Sequence, residues 1–486
     1  MNIKSLLVPF IFGIVGIFSF APFSIKILIF ISYSYLIYLI LYEEVSRFIK
    51  IISWGIGHWG LGMSWIIVSV YYYGETSIAL SFFIYLLLVI ILTVVFTYPL
   101  IIIRTILNKI QINKDLHLIL FVSSILIVSE FTRYFLLNGV PWLIPGNIYL
   151  DTLTQNIYPL FGVTSASFII YILCLYLVIS YNKKRKLFIP ILLIVISVIP
   201  NHKQVIEIDK GVKISIIQPS SDPFLKYKDN YYKTIEDNLI RLLESVSDES
   251  EIVVIPEAEL PYYIKSNNFN RFINKVPNKD KLIMGVWDIE NNSTYNSIYS
   301  FKYKDSYKKM HLVPFGEYIP FISSLRGVID FFDLPMSNVS HGPTNQKNIR
   351  ILENINIAAP ICFDIAFGDS VRKMNKSSLL MINISNDTWF GNSIGPYHHL
   401  SITRIRSIEN NKWTIRSTND GISAIIDNNG TIVSKLDKGI SGILEGEVKL
   451  IDKSSFYNIY GYLLSYIISF IIIFITLLRY IWKKLI

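Results

Sequence analysis

The run Ile355-Asn356-Ile357-Ala358-Ala359-Pro360-Ile361-Cys362-Phe363-Asp364 decides how the polar half of this chain is read. Its apolar, β-branched start predicts a buried strand, with a single thiol placed just past its end. The only other cysteine, Cys174, falls inside an apolar segment far upstream. Cys362 therefore has no disulfide partner in its own domain, and serves either packing or chemistry.

Working outward, Glu257 closes the run Ile252-Val253-Val254-Ile255-Pro256-Glu257, and Lys309 opens Lys309-Met310-His311-Leu312-Val313-Pro314-Phe315-Gly316-Glu317. Carboxylate, ammonium and thiol thus follow one another about fifty residues apart, a spacing that lets separate strands deliver them to one rim. A carboxylate can take the thiol proton, while an ammonium favours the thiolate and then the oxyanion of a tetrahedral intermediate. On chemistry alone, Glu259 competes with Glu257 and Lys308 with Lys309.

Around these residues, strands are expected at 212–217, 252–255, 281–286, 297–303, 355–361, 378–384, 414–417, 423–426 and 432–434, most of them rich in Ile, Val and Tyr. Helices are expected at 231–244 and 400–410, where apolar residues recur at three- and four-residue spacing. Alternation of this kind predicts an α/β domain with buried sheets. Asp427-Asn428-Asn429-Gly430 reads as a hairpin turn.

The rest of the chain has another character. Over 486 residues it is 52% hydrophobic and 17% charged, with a mean hydropathy of +0.45, too apolar for an ordinary soluble enzyme. Segments able to cross a ~30 Å hydrocarbon core lie at 6–23, 25–41, 51–71, 78–103, 116–137, 158–181, 187–199 and 457–481. The seventh is short and reaches Val205 only if bent or tilted. Arg47, Lys50, Arg104, Lys109, Lys114, Lys183, Lys184, Arg185, Lys186, Lys483 and Lys484 all fall at alternate loops and at the C-terminal end. Lys and Arg stay on the cytoplasmic side, so both termini are expected inside and the polar domain outside. The domains expected are residues 1–205 as a seven-helix bundle, 206–450 as the extracytoplasmic domain and 451–486 as a last span. Lys4 before the first apolar run suits a signal peptide, but the second span follows almost at once and the loop parity needs the first.

The net charge of +9 arises partly from the inside loops and calls for a membrane surface, with no nucleic acid. His398 and His399 lack an accompanying H-E-x-x-H or Cys-His cluster, so no metal is expected. Neither a Gly-rich phosphate loop nor a G-x-S-x-G elbow offers a rival chemistry. Glu130 and Arg133 lie three apart near the outer end of a span, an i, i+3 pair that either braces the helices or meets a lipid headgroup. Trp389 and Phe390 read either as core aromatics or as lining of an acyl pocket.

Pro256-Glu257, Lys309 with Leu312-Val313-Pro314-Phe315-Gly316-Glu317, and Ile361-Cys362 followed by an aromatic and an acid resemble the Glu-Lys-Cys triad of the carbon-nitrogen hydrolase (nitrilase) superfamily. The spans narrow this to a resemblance to the apolipoprotein N-acyltransferases. So do Ala21-Pro22-Phe23, Gly139-Val140-Pro141-Trp142, Tyr295-Asn296-Ser297, Ser385-Asn386-Asp387-Thr388-Trp389-Phe390-Gly391, Gly395-Pro396 with His399, and Arg416-Ser417-Thr418-Asn419-Asp420-Gly421. The resemblance covers nearly the whole chain. It implies an α/β nitrilase-like α-β-β-α sandwich combined with an all-α membrane bundle of eight transmembrane helices, in a bacterial inner membrane.

The same resemblance implies the chemistry. Cys362 attacks the sn-1 ester of a phospholipid, typically phosphatidylethanolamine, and the amine of a diacylglyceryl-cysteine apolipoprotein takes the acyl chain from the resulting thioester. Glu257 acts as base and Lys309 stabilises the oxyanion, the Pro-Glu context and the spacing to Glu317 selecting them over Glu259 and Lys308. Glu317, Phe363 and Asp364 support the site, and Tyr227, Trp389, Phe390 and His399 meet substrate. Phe363 and Asp364 stand where the family has Tyr and Glu, and Tyr227 where it has a Trp. No cofactor is implied, and a monomer is expected. Two rivals are a membrane-anchored amidase using the same triad with water, and a transporter with an outer binding domain, whose inverted repeats or broken midplane helices are not visible.

Overall fold

The computed structural model describes residues 4–73, 77–110, 112–201, 211–222, 225, 231–314, 316–318 and 338–485. The chain forms two compact units, one of Met1–Ile67, Ile78–His202 and Tyr460–Ile486, the other of Val68–Ser77 and Lys203–Ile459.

The first unit is helical. Among the described residues, Ile78–Lys109, Asp115–Thr132, Leu153–Asn182 and Leu463–Trp482 are long and apolar enough to cross a membrane. Arg47–Gly62 and Trp65–Tyr71, bent by 59° at a short break, make a fifth if taken as one span. Ser5–Ile17, Leu28–Leu41 and Phe188–Ser197 are apolar but shorter. At 1.5 Å per residue a fourteen-residue helix such as Leu28–Leu41 is about 21 Å long, less than the ~30 Å core.

Several expected spans are therefore interrupted, for identifiable reasons. The first helix stops at Ile17, ahead of Pro22, and the third bends after Gly60 and Gly62, where glycine weakens helical preference. Ile78–Lys109 passes through a five-residue π segment, Thr93–Thr97, before Pro99. Phe82, Phe83, Leu87 and Ile90 on this helix are exposed. Such a face suits lipid.

Glu130 and Arg133 act on each other by charge, as the i, i+3 spacing suggests, but no direct hydrogen bond joins them among the described contacts. Glu130 instead accepts from the Tyr171 hydroxyl at 2.5 Å, while Arg133, at the C-cap of its helix, donates to the Leu143 carbonyl at 3.2 Å and lies 5.1 Å from the Trp59 ring centroid. The helix ends between them, which turns Arg133 toward the following loop.

In the second unit the described strands are β1 (Val212–Gln218), β2 (Ile252–Ile255), β3 (Leu282–Glu290), β4 (Ser293–Ser300), β5 (Asp305–Lys308), β6 (Ile349–Leu352), β7 (Ile355–Ala358), β8 (Leu380–Ser385), β9 (Thr414–Thr418), β10 (Ser423–Ile426), β11 (Ile432–Leu436) and β12 (Gly442–Val448). They form two six-stranded sheets, ordered β12-β1-β2-β3-β4-β5 and β11-β10-β9-β8-β7-β6. In each, three consecutive strands run parallel: β1-β2-β3 and β7-β8-β9. β5 is antiparallel to β4, itself antiparallel to β3, so β5 ends at the same rim as β2 and β3.

Strands β2, β8, β9 and β10 are buried at every residue. Strands buried on both faces need two covers. Helix Tyr231–Glu244 supplies one, packing Ile235, Leu239, Leu242 and Leu243 with Val253, Ile255 and Met284. Helix Gly395–Asn410 packs Leu400 with Ile422, Ala424 and Ile426. Between the sheets, the Ser417 hydroxyl of β9 donates to the Ile217 carbonyl of β1 at 3.3 Å. The result is four layers, helix-sheet-sheet-helix.

Candidate active site

Glu257 lies two residues past β2, Lys309 directly follows β5, and Cys362 opens a short 3₁₀ turn after β7. Loops at the carboxyl ends of parallel strands are where α/β folds place ligands, and the three side chains meet there. The Lys309 ammonium donates to Glu257 Oε1 and to Glu317 Oε1, each at 2.9 Å. Asn296 of β4 donates to the same two oxygens at 2.6 and 3.2 Å. Glu257 Oε2 accepts from the Asn386 N–H at 2.7 Å, a bond that joins the two sheets.

Backbone geometry aims these groups. Lys309 continues β5 by donating its N–H to the Asn296 carbonyl at 2.8 Å, and Glu317 is held by the Val313 N–H at 2.8 Å. Cys362 has φ +47, and Ala258, next to Glu257, has φ +43. Left-handed backbone at non-glycine residues is strained and clusters at functional sites. Gly285 on β3 passes under the Glu257 turn so closely that an added Cβ would lie 2.5 Å from the Pro256 carbonyl oxygen and 2.6 Å from the Glu257 Cα. Gly285→Ala is expected to push the Glu257 carboxylate off Lys309 and lower turnover at least tenfold, readable in steady-state kinetics beside an unchanged circular dichroism spectrum.

All three groups are nearly sealed: Glu257 is 5% exposed, Lys309 1% and Cys362 9%. Burial would lower the Lys309 pKa, but the Glu257 and Glu317 charges outweigh it and hold the ammonium well above its ordinary range. Burial pushes the Cys362 thiol well up, the Glu257 charge adds to this, and Lys309 opposes it. The resting state is therefore a thiol beside a carboxylate and an ammonium, poised for proton transfer on attack. Removing the cation would leave Glu257 and Glu317 buried and uncompensated. Lys309→Met is expected to destabilise the domain by about 3–5 kcal/mol, measurable as a lower denaturation midpoint.

The supporting residues fall into two groups. Asp364 accepts from the His311 N–H at 2.7 Å, the Ile361 N–H at 3.2 Å and the Tyr307 hydroxyl at 3.3 Å, tying the segment after Lys309 to the Cys362 turn. Burial pushes its carboxyl up to about 7, against the His311 N–H and the Lys309 charge. Phe363 is half-buried, edge-on to Phe367 at 5.2 Å. Trp389 packs with Ala258, Trp287, Leu312 and Val339 beside Glu257, and Phe390 is buried edge-on to the His399 ring at 5.8 Å.

His399 lies behind Cys362 and not on an open wall: it is 1% exposed, and its Nε2 meets the Cys362 carbonyl oxygen at 3.1 Å. Tyr227 lies outside the described residues. Sequence reasoning left without roles the side chain of Asn296, the N–H of Asn386, and Asp387 with Arg416. Each stands in a string quoted above, which was the only signal available.

The chain matches the carbon-nitrogen hydrolase family over residues 213–455 and the N-terminal domain of apolipoprotein N-acyltransferases over 12–176. A Haemophilus ducreyi protein named apolipoprotein N-acyltransferase is 28% identical over 94% of this chain and 93% of its own length. The one of Wigglesworthia glossinidia brevipalpis is 31% identical over 81% of each chain. This chain belongs to the apolipoprotein N-acyltransferase family. Among solved structures, the C. elegans NitFhit protein aligns with 50% of this chain and 62% of its own at 16% identity and a TM-score of 0.36, too weak a likeness to argue from. Phe363-Asp364 follows Cys362 here, and the Asp364 carboxyl reaches both backbone segments that it joins.

Proposed function

We propose that this protein transfers an acyl chain from a phospholipid to the N-terminal amine of a diacylglyceryl-cysteine apolipoprotein, by way of a thioester on Cys362. The observation that carries the reading is the convergence of Cys362, Glu257 and Lys309 at one buried rim, close enough for each charge to act on the others. Family membership over nearly the full length supports it.

In the first step Cys362 Sγ attacks the sn-1 ester carbonyl of a donor such as phosphatidylethanolamine, and its proton passes to the Glu257 carboxylate. The oxyanion is stabilised by Lys309 and by the N–H that follows Cys362. Collapse breaks the ester C–O bond, and the leaving glyceryl oxygen takes the proton from Glu257 to give a lysophospholipid. In the second step the apolipoprotein amine attacks the thioester and gives a proton to Glu257. The amide forms, the C–S bond breaks, and the proton returns to sulfur. The sealed setting of the triad disfavours water as acceptor and so favours transfer over hydrolysis.

Eight spans follow if the three shorter apolar helices, each extended by flanking residues, cross the membrane beside the five candidates counted above. With the basic loops inside, the termini lie in the cytoplasm and the catalytic domain in the periplasm, residues 206–450 forming that domain between bundle residues 1–205 and the last span at 451–486. The enzyme works as a monomer in the inner membrane. Mass spectrometry of a lipoprotein N-terminus tests the function: a third acyl chain should appear only with the active protein. Free fatty acid in place of that amide would favour the amidase-like alternative.

A further inference from the structure

Behind the nucleophile stands a buried cluster that the two-step chemistry does not use. Asp387, fully buried, accepts from the Ser385 hydroxyl at 2.7 Å through Oδ1 and from Arg416 Nη2 at 2.5 Å through Oδ2. His399 Nδ1 lies 2.9 Å from Asp387 Oδ1 and 3.2 Å from Arg416 Nη2. Arg416 is fully buried as well, and its Nη1 donates to Asn383 Oδ1 at 2.5 Å and to Thr403 Oγ1 at 3.1 Å. Burial alone would raise the Asp387 carboxyl, yet Arg416 and then His399 hold it well below its usual range. Gly421 leaves room for this anion, since a Cβ there would lie 2.7 Å from Asp387 Oδ2.

The far edge of the His399 ring carries the consequence. Its Nε2 is 3.1 Å from the Cys362 carbonyl oxygen. A carbonyl only accepts, so Nε2 donates to it; at the other edge Nδ1 accepts from Arg416 Nη2, or donates to Asp387 Oδ1 where it too carries a proton. That carbonyl belongs to the peptide unit joining Cys362 to Phe363. In a trans peptide the C=O and N–H point in opposite directions, so a bond that fixes the carbonyl on the helix side fixes the Phe363 N–H on the other. It also restrains a residue held at φ +47, a conformation that surrounding contacts must over-determine.

We propose that His399 is a positioning residue: held at its Nδ1 edge by Asp387 and Arg416, it clamps the Cys362 carbonyl and so aims the Phe363 N–H at the oxyanion of both tetrahedral intermediates. The inference rests on the thioester reading above and adds to it a residue that never touches substrate. Phe363 has no hydroxyl to offer, so the backbone donor and Lys309 carry the oxyanion together.

The test separates oxyanion chemistry from mere access to sulfur. Thioester formation from labelled phosphatidylethanolamine needs the Phe363 N–H, whereas alkylation of Cys362 by iodoacetamide proceeds at an sp³ carbon and forms no oxyanion. In His399→Leu, thioester formation should fall about 100-fold, the scale for one oxyanion donor, while alkylation stays within about threefold. His399→Gln, which can still donate to the carbonyl, should recover at least tenfold of the loss. Both rates unchanged, or both falling by one common factor, would overturn the proposal. Should the Leu variant not fold, the Gln variant decides by the same comparison: thioester formation reduced while alkylation is kept supports the clamp, and equal changes overturn it. A wild-type protein that alkylates but never forms thioester would remove the function reading itself, and this inference with it.

Discussion

Cys362→Ala is expected to abolish acyl transfer, with neither a covalent acyl-protein nor an N-acylated lipoprotein formed above background. No other described thiol can substitute: Cys174 is fully buried in the helical unit, in Leu153–Asn182. Glu257 could at most direct a water at the ester, but the site is arranged around sulfur. Its thiol sits beside a carboxylate, next to an ammonium, at the head of a turn fixed by Asp364 and His399. Cys362→Ser should also fail, by at least about 10³-fold, because a hydroxyl is a far weaker nucleophile at its free pKa. The folded state should survive both changes, and a coincident thermal transition would exclude loss through unfolding. Lysophospholipid release measured alongside would report the first step directly.

Glu257→Gln should lower the acylation rate by 10²–10⁴-fold, the range for loss of a general base. The shapes match, yet the amide fails on two counts. It cannot take the proton, and its NH₂ group cannot accept, so either the Asn386 N–H loses its acceptor or Lys309 and Asn296 together lose the Glu257 oxygen they share and keep only Glu317. The variant also carries a sign that separates base loss from damage. Burial is the larger cause of the raised thiol pKa and persists, but the Glu257 charge adds to it and would be gone. The thiol of the variant should therefore ionise at lower pH than in the wild type. Alkylation of Cys362 followed against pH should show its midpoint moving down while acyl transfer collapses. A midpoint moving up would contradict the assigned contact between the carboxylate and the thiol.

Much of this architecture was legible in the chain. Periodicity marked helix Tyr231–Glu244 at both ends, and the β-branched runs located β2 and β10. Asp427-Asn428-Asn429-Gly430 does turn β10 into β11, with the Asp427 N–H donating to the Thr431 carbonyl at 2.9 Å and Gly430 at φ +74. Strands β5, β6 and β12 went unread because their sequences, Asp-Ser-Tyr-Lys, Ile-Arg-Ile-Leu and Gly-Ile-Leu-Glu-Gly-Glu-Val, are short, polar or charged. They are specified by their neighbours more than by propensity. β4 begins four residues before the expected start because Asn291 and Asn292 adopt φ +49 and +62 and close a tight hairpin.

The site divides in the same way. Residue type and strand-end position pointed to Glu257, Lys309 and Cys362, which the fold brings together, and family spacing chose among their neighbours. Lys308 instead points to Glu290. Asn296 and Asp387 were beyond reach, since an Asn in mid-strand and an Asp in a loop look alike whether they face water or a buried carboxylate. Only the topology, which brings β4 beside β5 and β8 beside β9, supplies their partners. His399 was expected against substrate. Its position on the inner face of Gly395–Asn410, beneath the Cys362 carbonyl, depends on how that helix crosses β8 and could not be read from spacing.

The central claim is that one sulfur carries the acyl chain between donor and acceptor. Its most direct test is peptide mass mapping of the purified protein after incubation with a phosphatidylethanolamine of defined sn-1 chain and no acceptor. The account predicts a single adduct of that acyl mass on the peptide containing Cys362, released by hydroxylamine and discharged by a diacylglyceryl-cysteine peptide to give the amide. An amide formed with no adduct at Cys362, or an adduct on another residue that the acceptor discharges equally well, would contradict it.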